Sequence, residues 1–293
     1  MPKETYIEKK FHPKTEKIII QVNEIIDEYA ADGLTLTLRQ LYYQFVARGF
    51  IANKQEEYGR LGVVVNNGRL AGLIDWNAIE DRTRNLKGLS HWENPGEIIR
   101  AAAEGFQIDH WEGQKIQPEV WIEKEALVGI IVKVCEKLDV PYFACRGYVS
   151  QSEMWRASKR FERYRDKNRI PIIIHLGDHD PSGIDMTRDI NDRQELFIGG
   201  VTVKRIALNM DQVEKYSPPP NPAKISDSRF NDYANKFGDE SWELDALEPR
   251  MLQELIKNTV LTYRDDDIYE KAIKKETQYK TILNNIERNW ETL

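Results

Sequence analysis

The sequence predicts a mixed α/β protein in which a helical N-terminal unit precedes a parallel β-sheet. Three observations carry that expectation. Apolar residues recur at helical intervals through the first 74 residues. Between residues 117 and 208 short apolar runs alternate with amphipathic stretches. Two of those runs end in acids, Glu123 in EVWIEKEAL and the pair Asp178 and Asp180 in PIIIHLGDHDPSGID. Such alternation marks β-α-β connections, whose strands lie parallel with helices on the sheet faces.

Between Thr15 and Tyr29 the spacing of Ile18, Ile19, Val22, Ile25 and Ile26 predicts a first helix. A turn at Ala31 to Leu34 follows, and Thr37 is placed to cap a second helix, LRQLYYQFVARG, closed by Gly49. A third helix over Tyr58 to Ile74 turns Leu61, Val64, Val65, Leu70 and Leu73 inward and leaves Asn66, Asn67 and Arg69 on or near its polar side. IEDRTRN then reads as a short charged strand or loop. Three helices followed by such a segment match a winged-helix domain, whose third helix faces a DNA groove. Residues 1–90 are assigned to it, and residues 91–116 to a connector with its own helix at Gly96 to Gly105.

Beyond the connector, strands are expected at Glu119 to Ile122, Pro141 to Cys145, Pro171 to Leu176 and Val201 to Leu208. Helices are expected at Ala126 to Leu138, Ser152 to Tyr164 and Ser182 to Phe197. The stretch from Asp211 to Glu240, rich in Pro, Asn and Asp, reads as largely irregular and stiffest at SPPPNP. A helical C-terminus from Pro249 completes a second domain, residues 117–293.

A chain of 293 residues with 41% hydrophobic and 31% charged content accommodates two modest globular domains. It lacks the run of roughly 18 apolar residues that a membrane span needs. Its N-terminus, MPKETYIEKKFHPKTEK, has charges without the apolar core of a secretory signal. Cys135 and Cys145 lack His or Cys neighbours at zinc-ligand spacing, and two cysteines make no disulfide framework, so a reducing cytoplasm is expected. The lack of a Gly-rich Walker loop excludes ATP hydrolysis by that route. A net charge of −6 argues against a polyanion partner for the chain as a whole. Thr37 to Gly88, however, carries eight Lys or Arg against five Asp or Glu, a local excess compatible with DNA.

Glu123, Asp178 and Asp180 each end an apolar run, so the three carboxylates are expected to gather at the carboxyl edge of the sheet. Carboxylates that close repel one another unless a divalent cation sits among them. A hard metal there suits phosphoryl transfer, where it neutralises charge on the phosphate under attack. The alternative for these acids is helix capping or pairing with Lys124 and Arg188. Capping is the better reading for Glu125 and Asp185, which favour a helix dipole. His175 and His179 read as strand packing and turn hydrogen bonding. In LTLRQLYYQFV, Arg39 lies four residues before Tyr43 and therefore one turn away on the same helical face. A guanidinium beside a phenol lowers its pKa and holds a phosphate, which is what a tyrosine nucleophile needs.

The Arg-x-x-Tyr-Tyr pattern on a winged helix, followed by IEK on one strand and DHDPSGID on another, resembles the A subunit of topoisomerase VI and its relative, the meiotic double-strand-break transesterase. The acid signature is similar to that of the Toprim fold of topoisomerases, bacterial-type primases and the overcoming-lysogenization-defect nucleases. The likeness covers roughly Thr37 to Leu208, and in size the chain is closest to compact stand-alone A-subunit-like proteins of plasmids and viruses. The resemblance implies a winged helix followed by a Toprim domain acting on double-stranded DNA. Tyr43 would be the nucleophile that becomes linked to a 5′ phosphate, with Arg39 one turn before it. Glu123, Asp178 and Asp180 would hold Mg²⁺ or Mn²⁺, and Lys124 would match the lysine that commonly follows the glutamate. A homodimer is implied, the tyrosine of one protomer working on the metal site of the other. A separate ATPase subunit would dock ahead of the winged helix, where this chain has 36 residues before Thr37.

In place of the family's Gly- and Pro-containing loop stands CRGYVSQSEMW, in which Arg146, Ser150 and Ser152 are candidate phosphate contacts. Arg60, Asn66, Asn67, Arg69, Arg82, Arg84 and Arg146 are the candidate DNA-binding residues. Three other readings stay open: a hydrolytic metal-dependent nuclease on the same fold, a DNA-binding module without catalysis, and a primase-like nucleotidyl transferase.

Overall fold

Pro13 in the first turn, with the His12 side chain accepting from Lys14 N, starts α1 (Pro13–Ala31) two residues ahead of the expected helix in the computed structural model, which describes residues 3–79 and 89–289. Ile19, Val22, Ile25, Ile26 and Tyr29 form its buried face. The cap predicted for α2 (Leu38–Ala47) is a full capping box: Gln40 N donates to Thr37 Oγ1 at 3.3 Å, and Thr37 N donates to Gln40 Oε1 at 2.8 Å. α3 (Gln55–Leu70) begins three residues before its expected start and ends four before its expected end. It stops there because Gly72 takes a φ of +70° against Thr5, a position closed to a side chain. Leu73, expected inside, is consequently 41% exposed. The three helices share one apolar core, and Leu36 pairs with Ile79 in a single parallel bridge. The rest of IEDRTRN, with Arg82 and Arg84, lies outside the described residues.

α4 (Pro95–Gly105) leads into an alternating run: β1 (Ile116–Ile122), a 3₁₀ turn at Glu125–Leu127, α5 (Val128–Lys137), β2 (Tyr142–Ala144) and α6 (Gln151–Asp166). It continues with β3 (Ile170–Leu176), α7 (Pro181–Phe197) and β4 (Thr202–Ala207). The four strands are parallel in the order β2-β1-β3-β4. The mixed α/β class with a parallel sheet is therefore the one the sequence predicts. Residues alternate across the sheet, as the pleat requires. Val120, Ile122, Ile174 and Leu176 pack with α5 on one face, whereas Trp121 and Ile173 pack with Met154, Phe161 and Ile190 on the other. Each such aliphatic side chain, fully buried, contributes roughly 1.5–3 kcal/mol.

The stretch from Asp211 to Glu240 departs from expectation. It holds most of α8 (Met210–Tyr216), the strand β5 (Asn221–Pro222) and α9 (Phe230–Phe237), and β5 pairs antiparallel with β6 (Glu240–Ser241). Order comes from outside the segment: Tyr233 and Phe237, one helical turn apart on α9, close around His179 at ring distances of 5.6 and 4.7 Å. A second 3₁₀ turn, Leu244–Ala246, precedes α10 (Pro249–Leu261) and α11 (Asp266–Asn289). α10 covers the α5 face of the sheet, and α11 runs along α4. The N-terminal helices dock where α2 meets the Leu244–Ala246 turn, and Tyr29 Oη donates to Glu248 Oε1 at 2.6 Å across the same seam. No helix among the described residues is long and apolar enough to cross a membrane.

Candidate active site at the carboxyl end of the sheet

β1 and β3 run in register to Ile122 and Leu176, so the residues that follow emerge side by side. Glu123 N extends the ladder by donating to Leu176 O at 2.8 Å, and Asp178 N donates to Glu123 Oε2 at 2.8 Å. Gly177 makes that closure feasible, because a Cβ there would lie 2.9 Å from Glu123 Oε2. Asp180 caps α7, its Oδ1 accepting from Gly183 N at 2.5 Å and from Ser182 Oγ at 3.1 Å. A Cβ on Gly183 would overlap Asp178 O, so the DHDPSG turn can be this tight only with glycine at that position. Glu123 and Asp178 thus meet as expected, while one oxygen of Asp180 serves the helix beside them.

Burial, and after it the charge of Asp178, raises the Glu123 carboxyl above the usual range, against the pull of the Asp178 amide and Lys124. Burial also raises Asp178, which Lys124 and Leu244 N counteract. Leu244 N donates to Asp178 Oδ1 at 2.8 Å, and Lys124 Nζ lies 2.9 Å from Asp178 Oδ2. Beneath the turn Arg205 donates to Gly177 O at 2.9 Å, Asp178 O at 2.6 Å, Gly183 O at 2.9 Å and Leu208 O at 3.1 Å. Burial pushes its guanidinium down to about 10, opposed by Glu123, Asp178 and Asp180, and it stays charged at neutral pH. Buried His175 and His179 bond to Thr187 Oγ1 and Tyr233 Oη, both at 2.8 Å, in keeping with the packing reading.

The sequence reading does not include Glu243 and Asp245, yet both complete the site. His179 N donates to Trp242 O at 2.8 Å and Trp242 N donates to His179 O at 2.9 Å, a bridge that sets the following residues against Asp178. Lys124 Nζ then lies 3.0 Å from Glu243 Oε2 and 3.4 Å from Asp245 Oδ1. Arg39 pairs with Glu243 and reaches Asp245 Oδ2 at 3.2 Å. The Glu-x-Asp spacing in WELDAL is the one signal that a sequence reader could have used. These groups, with Glu125, Arg146 and Gly147, line a cleft of about 660 Å³.

Tyr43 sits next door in a cavity of about 280 Å³ that shares Arg39 and Glu243 with the cleft. Arg39 Nη2 lies 3.5 Å from Tyr43 Oη, as the helical spacing predicts. Arg39 does lower the phenol's pKa as expected, but it does not decide the net direction. Burial and Glu243 push the phenol up to about 12, outweighing Arg39, Asn221 and Lys124, because Tyr43 is only 3% exposed. Asn221 and Pro222 of β5 line the cavity. Tyr42 Oη instead donates to Asn53 Oδ1 at 2.9 Å, a packing role.

The candidate DNA contacts divide. Arg60 is exposed and paired with Glu57 at 3.3 Å, Asn66 is exposed, and Asn67 Oδ1 accepts from Lys9 Nζ at 2.8 Å. Arg69 turns back on its own chain, donating to Trp76 O at 3.0 Å and to Ile79 O with its charge over the Trp76 ring. Arg146 pairs with Glu125 at the cleft, and Ser150 caps α6.

No family model, curated protein or solved structure matches this chain.

Among the described residues no three His, Cys, Asp or Glu side chains form a ready-made metal cage. Lys124 and Arg39 engage the carboxylates instead. The donor chemistry nevertheless suits Mg²⁺ or Mn²⁺. The candidate ligands are hard carboxylate oxygens: five acids, Glu123, Glu125, Asp178, Glu243 and Asp245, line the cleft against three cations, Arg39, Lys124 and Arg146, with Asp180 outside its lining.

Proposed function

We propose that the protein is a metal-dependent DNA-cleaving enzyme whose nucleophile is Tyr43. The observation that carries this reading is Arg39, which touches Tyr43 Oη on one side and Glu243 and Asp245 of the acid cleft on the other. Tyr43 Oη would attack a backbone phosphorus, the bond from phosphorus to the 3′ oxygen would break, and a 5′-phosphotyrosyl link would form. The phenol proton is lost in the attack, and the 3′ oxygen gains one. Glu123, which lines the cleft, is the residue assigned to relay that proton. Arg39 faces the charge that develops on the phosphate. Glu123, Asp178 and Asp180 would hold Mg²⁺ or Mn²⁺, which supplies Lewis-acid stabilisation of that charge when bound. Arg60, Asn66 and Arg146 remain available to the duplex from their exposed or cleft positions.

The helical unit is read as a winged helix, the sheet as a Toprim domain, and the working form as a homodimer, all three on the motif resemblance. Cys135 and Cys145 are buried and form no disulfide, which suits a reducing cytoplasm.

One observation favours a hydrolytic variant of the reaction. Tyr43 is buried and its pKa is raised, so water at the acid cleft is the better-exposed nucleophile. Supercoiled plasmid incubated with the protein and Mn²⁺ or Mg²⁺, quenched with detergent and split with or without protease, separates the two. Protein-linked nicked or linear DNA that is lost in both Tyr43→Phe and Asp178→Ala is the expected result. Free ends that persist in Tyr43→Phe but not in Asp178→Ala would make water the nucleophile.

A further inference from the structure

We propose that the Lys124 ammonium is a built-in second cation of this site, so that each chain binds one divalent ion where two-metal phosphoryl-transfer enzymes bind two. The inference rests on the metal-dependent reading above and concerns how many ions that site takes.

Three carboxylate oxygens from two separate segments surround Lys124 Nζ: Asp178 Oδ2 at 2.9 Å, Glu243 Oε2 at 3.0 Å and Asp245 Oδ1 at 3.4 Å. The Asp245 side chain is 1% exposed, and its Oδ1 accepts no hydrogen bond among the described residues. A buried carboxylate oxygen without a partner is costly, and Lys124 Nζ is the ion partner that this one has. Arg39 fixes the other oxygen of Asp245, and Leu244 N fixes Asp178 from the same short turn. The cage is therefore assembled by the fold around a cation.

In a two-metal site a shared group commonly stands between ions roughly 3.5–4 Å apart, which together clamp the attacking and leaving oxygens. Asp178 is the acid beside Lys124 here: its Oδ2 binds Lys124, its Oδ1 accepts from Leu244 N, and its amide holds the Glu123 carboxylate next to it. The oxygens around Nζ stand at ammonium distances, well beyond the roughly 2.0–2.1 Å that Mg²⁺ demands. A tethered ammonium needs no loading and cannot dissociate. Facing the cleft, it can donate to a non-bridging phosphate oxygen.

The test counts Mn²⁺ bound per full-length chain, without DNA, by the electron paramagnetic resonance signal of free Mn²⁺ during titration. The wild type is expected to bind one ion and Lys124→Ala two. The double variant Lys124→Ala/Asp245→Asn is expected to return to one. Two ions in the wild type, or one in a folded Lys124→Ala, would overturn the proposal. Asp245→Asn in the wild-type background keeps the ammonium in place and provides an independent arm. Its count should stay at one, and a fall to zero would make Asp245 a ligand of the ion and sink the assignment. A wild type that binds no Mn²⁺ would instead remove the metal-dependent reading itself, a result distinguishable from the others.

Discussion

Lys124 Nζ lies 2.9 Å from Asp178 Oδ2, and the two residues follow neighbouring parallel strands. The partners are not equivalent. Lys124 also serves Glu243 and Asp245, whereas Asp178 adds to the repulsion felt by Glu123. In metal-free buffer at pH 7, Lys124→Met is expected to cost about 3 kcal/mol, because it leaves buried carboxylates without their cation. Asp178→Asn is expected to cost about 1 kcal/mol, since relief of repulsion offsets the lost contacts. Urea unfolding midpoints decide the matter, and equal losses would show that Lys124 is not the hub of the cluster.

Tyr43 supplies a pH dependence. Its phenol, pushed up to about 12 by burial and Glu243, is neutral at pH 7, and its ionised fraction climbs about tenfold per pH unit. The rate of covalent adduct formation should therefore rise between pH 7 and 9 with a log-log slope near one. Because the folded pKa lies above the unfolded value of 10.0, this tyrosine's contribution to stability is intact below pH 10 and is lost between pH 10 and about 12. Glu243→Gln should lower the tyrosine pKa, read by absorbance at 295 nm against the same variant carrying Tyr43→Phe. A pH-independent adduct rate would contradict the assignment of a neutral, buried nucleophile.

Two glycines of the acid turn should respond differently to a methyl group. Gly183→Ala drives its Cβ into the backbone oxygen of Asp178 and is expected to cost about 3 kcal/mol. Gly177→Ala meets the far end of the Glu123 side chain at 2.9 Å, which can yield. It should cost about 1 kcal/mol and weaken Mn²⁺ binding about tenfold by displacing that carboxylate. Thermal melts paired with Mn²⁺ titrations test both, and a Gly177→Ala protein with undiminished affinity would dissociate Glu123 from the metal.

What could be read from the sequence was local. An apolar run followed by Glu123, the Asp-x-Asp-Pro-x-Gly turn and the Thr37 cap each carry their geometry within a few residues, and strands, α2 and α7 appear where those signals place them. Glu243 and Asp245 could not be placed, because their position depends on the backbone bridge between His179 and Trp242. Arg205 lies in TVKRIA, where it is only partly covered, and its role follows from the carbonyls of Gly177 and Gly183, which a sequence does not place. The helical spacing located Arg39 beside Tyr43 but gave no hint of Asn221 and Pro222, which help to close the phenol off from water. Arg69 sits on the expected side of its helix, yet the carbonyls of the following turn claim its guanidinium.

The pairing of β5 with β6 has a mechanical consequence. β5 covers Tyr43, and β6 continues directly into Trp242, whose backbone clasps His179 between Asp178 and Asp180. One short ribbon therefore walls the tyrosine cavity with β5 and, through β6, carries the strap that fixes the acid turn, so the phenol and the carboxylates share a single backbone support.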